Sequence, residues 1–101
     1  MNGQQAPEGQ QIQIKIDDAT MKGIYANMMS VAHSKEEFVL DFMNVYPLQR
    51  AGIVNARVIL SPGHMKRVLG ALKDNIEKYE KNFGTIEVAK APMNSEIGFH
   101  G

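Results

Sequence analysis

The sequence predicts an α+β domain: a four-stranded antiparallel β-meander followed by one long C-terminal helix packed on one sheet face, in the order β-β-β-β-α. Three observations predict it. Residues 11–17 alternate apolar and polar side chains. Two longer runs, 24–33 and 38–46, are rich in β-branched and aromatic residues and flank a polar break. Residues 62–83 carry an apolar stripe at helical spacing, between a serine–proline start and a glycine stop.

In the first strand, Ile12, Ile14 and Ile16 share one side, while Gln11, Gln13 and Lys15 share the other. Period two with β-branched residues predicts a strand with one wet face. A sheet edge suits it, because Lys15 would discourage stray pairing.

The second strand spans 24–33 and is apolar on both sides, with Ile24, Met28 and Ala32 against Tyr25, Met29 and Val31. Residues 34–37 form the polar break and predict a hairpin. Ser34 and Glu37 also have the spacing of a capping box, which would start a helix at Lys35. The β-branched and aromatic content of Phe38-Val39-Leu40-Asp41-Phe42 favours a strand instead, ended by Pro47. Phe38, Phe42 and Tyr46 share parity and are expected to face the helix as core. Residues 47–55 read as a loop with Gly52 as its flexible point, and 57–60 as a short fourth strand.

The helix is predicted over 62–83. Ser61 can accept a free helix amide, and Pro62 at the first helical position gives up no needed donor. Met65, Leu69, Leu72, Ile76, Tyr79 and Phe83 recur at spacings of four and three and make one apolar stripe. The stripe also has the spacing for helix–helix pairing. Gly84 is the expected left-handed stop, and 85–88 suit a short strand.

A chain of 101 residues is one domain. Residues 1–10 and 89–101 are polar or rich in Gly and Pro, and they predict disordered tails around a domain at 11–88. Lysine plus arginine and aspartate plus glutamate number 11 each, so no overall field attracts nucleic acid or acidic membranes. There is no cysteine, which excludes disulfides, thiolate nucleophiles and cysteine-held metals. No apolar run approaches a membrane span, and the polar N-terminal residues predict no signal peptide. The expected location is the cytoplasm.

No motif for catalysis or for a cofactor is present, so neither an enzyme nor a cofactor is expected. Asp17-Asp18 reads as a solvated turn pair, since neighbouring strand residues point to opposite faces and no further acidic ligands cluster nearby. His33 beside Ser34 reads as a surface histidine at a turn rather than half of a nucleophile–base pair. His100 lies in the C-terminal tail. The helix start, with Gly63, His64, Lys66 and Arg67, is a weak anion-site candidate of the kind every helix offers.

Self-association has a firmer motive. One helix covers one sheet face, yet the two central runs are apolar on both. Met28, Met29, Val31, Val39, Met43 and Val45 are therefore the candidate interaction face. The expected partner is a second copy of the chain, most simply in a dimer, with other polypeptides a further possibility. A runner-up is single-stranded nucleic acid, with Tyr25, Phe38, Phe42 and Tyr46 for stacking and Arg50, Arg57, Lys66 and Arg67 for phosphates.

The strings IKIDD at 14–18, GIYANMMSVAHSKEEFVLDF at 23–42 and SPGHMKRVLGALKDNIEKYEKNFG at 61–84 resemble a bacterial and archaeal domain of unknown function, family 3467. The resemblance implies the ordered core and brings no catalytic residue with it. In order of elements the chain is also similar to the export chaperone SecB and to the Pur-alpha group, by analogy of architecture only.

Overall fold

The computed structural model describes residue 9 and residues 11–93. It is α+β, with a short helix α1 (Asp18–Lys22), strands β1 (Met28–His33), β2 (Phe38–Tyr46) and β3 (Ala51–Leu60), and a long helix α2 (Pro62–Phe83). The sheet is antiparallel with order β1-β2-β3. Among the described residues it has three strands where the sequence pattern predicts four. The β-β-β-β-α order behind the likeness to the Pur-alpha group is therefore not met.

The missing strand is residues 11–17. Alternation prepares a strand, but a strand exists only with a ladder partner, and no described strand pairs with this segment. It ends at α1, an element that the sequence pattern does not predict. Asp17 caps that helix, its carboxylate accepting the Thr20 amide at 2.7 Å. Gly23, at φ 78, stops it, a backbone angle that suits glycine.

The second strand also starts later than predicted, at Met28 rather than Ile24. Two asparagines explain the boundary. The Asn27 carboxamide donates to the Val45 carbonyl at 3.1 Å and accepts the Val45 amide at 2.9 Å. The Asn27 amide still donates to the Met43 carbonyl at 3.1 Å, and beyond it the Asn27 side chain takes the place of ladder bonds to Val45. Asn44 Nδ2 donates to the Tyr25 carbonyl at 2.8 Å and ties the incoming chain to β2.

The hairpin at 34–37 forms as predicted. Ser34 Oγ accepts the amides of Glu36 and Glu37, both at 3.2 Å. The Ser34 amide donates to the Glu37 carbonyl at 2.9 Å. The serine caps a turn and starts no helix. β2 then covers the predicted span, 38–46.

The expected loop 47–55 is shorter. A single 3-10 turn (Pro47–Gln49) and Arg50, in the left-handed region at φ 51 and ψ 42, suffice to reverse the chain. β3 begins at Ala51. Gly52 lies inside β3 opposite Val45 and is no flexible point; a Cβ there would sit 3.3 Å from the Asn44 carbonyl oxygen. Phe42 pairs with Ala56 and Met43 with Val54, so Asn55 is the extra residue of a β-bulge.

α2 occupies the predicted residues. Ser61 Oγ accepts the His64 amide at 3.2 Å. Gly84 ends the helix at φ 99 and ψ 171, with its amide on the Glu80 carbonyl. Its ψ lies outside the left-handed helical region. Residues 85–88 form no strand; the Ile86 amide donates instead to the Glu80 carboxylate at 2.9 Å.

The helix does not pack on the sheet as predicted. No residue of α2 is buried. Pro62, Met65 and Val68 in its first two turns, and Glu80, are half-buried; the rest is exposed. The junction explains this. Ser61 alone separates β3 from α2, whereas βα turns ordinarily use about two to six residues to lay a helix back on its sheet. Among the described residues, the buried ones are instead Leu40, Asp41, Met43 and Val45, all on the central strand. Phe38 and Phe42 are half-buried and Tyr46 is exposed, so the aromatic core expected under the helix is absent among the described residues.

Candidate interaction surface

The sheet pairing sorts the apolar residues into two faces. Successive strand side chains point to opposite sides. Phe38, Leu40, Phe42 and Tyr46 therefore share one face, joined by Met29 and Val31 from β1 and by Ile53 and Val58 from β3. Val39, Asp41, Met43 and Val45 share the other, joined by Met28, Val54, Arg57 and Ile59.

The six residues proposed as one interaction face are thus divided. Met29 and Val31 lie on the first face and are exposed. Met28, Val39, Met43 and Val45 lie on the second. Met43 and Val45 are buried within the chain, while Met28 and Val39 are half-buried.

The exposed apolar surface lies elsewhere in large part. On the first face it includes Met29, Val31, Ile53 and Val58. Along α2 it is the whole distal stripe of Leu69, Leu72, Ile76, Tyr79 and Phe83, each at least half exposed. Tyr79 and Phe83 lean on each other, with ring centroids 5.0 Å apart. Before the sheet it is Ile12, Ile14 and Ile16.

One polar constellation interrupts the second face. Asp41 and Arg57 are direct partners across β2 and β3. Arg57 Nε donates to Asp41 Oδ1 at 2.7 Å and Nη2 to Oδ2 at 2.8 Å. Asp41 is 5% exposed, while the Arg57 side chain is 61% exposed. The hydrogen bonds from Arg57 hold the Asp41 carboxyl below its ordinary range, against the opposing effect of burial, and the guanidinium charge adds to them. The same pair raises the Arg57 pKa. Sequence reasoning missed this pair, although its signal was available. An aspartate amid Val39, Leu40 and Phe42 is out of place in a strand unless it has a partner.

The other sequence candidates are not brought together. His33 stacks on Phe38, with centroids 5.3 Å apart and planes at 29°. The Ser34 hydroxyl next to it is engaged in the hairpin turn. Asp17 is taken up in capping α1, and the Thr20 amide and hydroxyl lower its pKa. At the start of α2, the Ser61 hydroxyl takes the His64 amide that an anion would need. Tyr25 and Tyr46 are exposed as stacking platforms require, but Phe38 and Phe42 are half-buried and Arg57 is committed to Asp41. His100 lies outside the described residues. Among the described residues, no three His, Asp or Glu side chains are grouped to hold a metal, and no helix is long and apolar enough to cross a membrane.

A family model described as protein of unknown function (DUF3467) matches residues 1–88, which include every strand and helix above. No curated protein and no solved structure matches the chain.

Proposed function

The chain belongs to the DUF3467 family of proteins of unknown function, and we propose for it a non-enzymatic role as a cytoplasmic interaction protein whose working unit is a homodimer. The observation that carries this reading is the small size of the private core. Among the described residues, the buried apolar side chains are Leu40, Met43 and Val45. A second copy offers the missing apolar surface in the simplest symmetric way.

The surfaces that meet are the exposed sheet face with Met29, Val31 and Val58 and the α2 stripe with Leu69, Leu72 and Ile76. Their exposed side chains are mostly aliphatic or methionine, which suits an apolar contact rather than a catalytic cleft.

Sedimentation equilibrium tests the reading. The expected mass is about twice the 11.2 kDa of one chain, held down to micromolar concentration. A folded monomer at all concentrations would remove the proposal.

A further inference from the structure

We propose that residues 11–17 form the missing fourth strand in trans, pairing with the open edge of β1 in a second copy of the chain. The inference rests on the homodimer reading and adds the exchanged element to it.

The segment has the pattern of a strand and lacks only a partner. Ile12, Ile14 and Ile16 are 80, 90 and 55% exposed. No backbone hydrogen bond joins residues 11–16 to another described residue. Unpaired amides beside three solvated isoleucines are a state that a sheet edge corrects on both counts.

Among the described residues, two edges have no further strand, those of β1 and β3. Proteins guard free edges with charge, proline or bulges. β3 has two such devices, Arg57 and the bulge at Asn55. β1 reads Met-Met-Ser-Val-Ala-His, with no Lys, Arg, Asp, Glu or Pro. Its six residues fall one short of the seven in the segment, close enough for a ladder along nearly all of it. It is also where a meander would place the first strand. The chain between the two is shaped by α1, by Gly23 and by the Tyr25–Asn44 hydrogen bond. In the single chain this connection leaves the β1 edge empty. Exchange of an identical element between copies fills it with no new sequence, which is the logic of domain swapping.

The test uses the full chain and the absence of native cysteine. One copy carries Gln13→Cys or Lys15→Cys and a differently tagged copy carries Ser30→Cys; the two are co-refolded and oxidised. The expected result is a disulfide joining the two tags. Hydrogen exchange should show alternate amides of residues 11–16 protected in the dimer and unprotected on dilution. Ile14→Pro should weaken self-association by about tenfold or more, because proline cannot donate to a ladder. Its far-UV circular dichroism should be retained, since the side chain is exposed.

Protection that persists in the diluted monomer would mean pairing within one chain and would overturn the inference. A dimer whose 11–16 amides stay unprotected, with Ile14→Pro without effect, would overturn it too and leave the homodimer reading standing. A monomer throughout removes both.

Discussion

Arg57 reaches across from β3 to close both oxygens of Asp41, at 2.7 and 2.8 Å, over a carboxylate that the sheet has otherwise withdrawn from water. The two partners are unequal. Arg57 keeps most of its surface in solvent, and Asp41 keeps almost none. Removing one therefore differs from removing the other. Arg57→Ala strands a buried carboxylate, and its cost is the greater. Asp41→Asn removes the buried charge and leaves a guanidinium that water can satisfy. Urea midpoints should fall in the order wild type, Asp41→Asn, Arg57→Ala. The reverse order for the two variants would mean that the aspartate is less buried than the sheet implies.

The same pair sets an acid limit on stability. Asp41 has its pKa lowered in the fold by the Arg57 hydrogen bonds, from an ordinary value of 3.8. A group with a depressed folded pKa contributes stability that is fully present above its unfolded pKa. That stability is lost as pH falls through the folded pKa. Unfolding midpoints followed from pH ~5 to pH ~2 should therefore drop, with Asp41→Asn dropping less. Asp17 is lowered too, through Thr20, so the difference between the two proteins is the readout. Parallel curves would detach Asp41 from the acid transition.

Asn27 makes a separate prediction. Its carboxamide donates to and accepts from the backbone of Val45, one of the buried residues. Asn27→Ala leaves a part-buried amide and carbonyl without those partners and should cost about 1–3 kcal/mol. Asn27→Asp keeps the acceptor and loses the donor, so it should fall between. Denaturant titration with unchanged m-values checks both.

Ser61→Ala should cost about 1 kcal/mol, since it frees the His64 amide at the start of α2. The change is readable as a lower thermal midpoint. Restoration by Ser61→Asp, another good cap, distinguishes capping from any other role of the serine.

Much of the fold is legible in the sequence where the signal is local. Ser61-Pro62 and Gly84 bound α2 to the residue, because a cap and a stop act on their own neighbours. Phe38 to Tyr46 reads correctly as a strand over the rival helix start, because Ser34 is as able to cap a turn as a helix. What is not legible depends on a partner. Ile12, Ile14 and Ile16 alternate like a strand, but alternation names no neighbour. Met28 and Met29 look like one patch in sequence, and the sheet puts them on opposite faces. The Asp41–Arg57 contact needs the β2–β3 register, which the bulge at Asn55 sets and no local pattern reveals.

The α2 stripe separates two accounts of the same apolar side chains. If Leu72 and Ile76 covered the sheet of their own chain, charges there would unfold it, as other core lesions do. In the structure both are at least half exposed, so the single chain has little to lose at these positions. Under the proposed homodimer, these side chains are buried between the two copies. The double variant Leu72→Glu and Ile76→Glu should keep its helical circular dichroism, because glutamate is a good helix former. It should raise the dimer dissociation constant by about tenfold or more, the effect of desolvating charge at the centre of an apolar contact. The control is Lys73→Glu and Lys78→Glu, off the stripe on the same helix, which should leave the dimer intact. Loss of helicity in the stripe variant would place α2 against its own sheet after all. Equal dissociation in stripe variant and control would point to net charge rather than to the stripe.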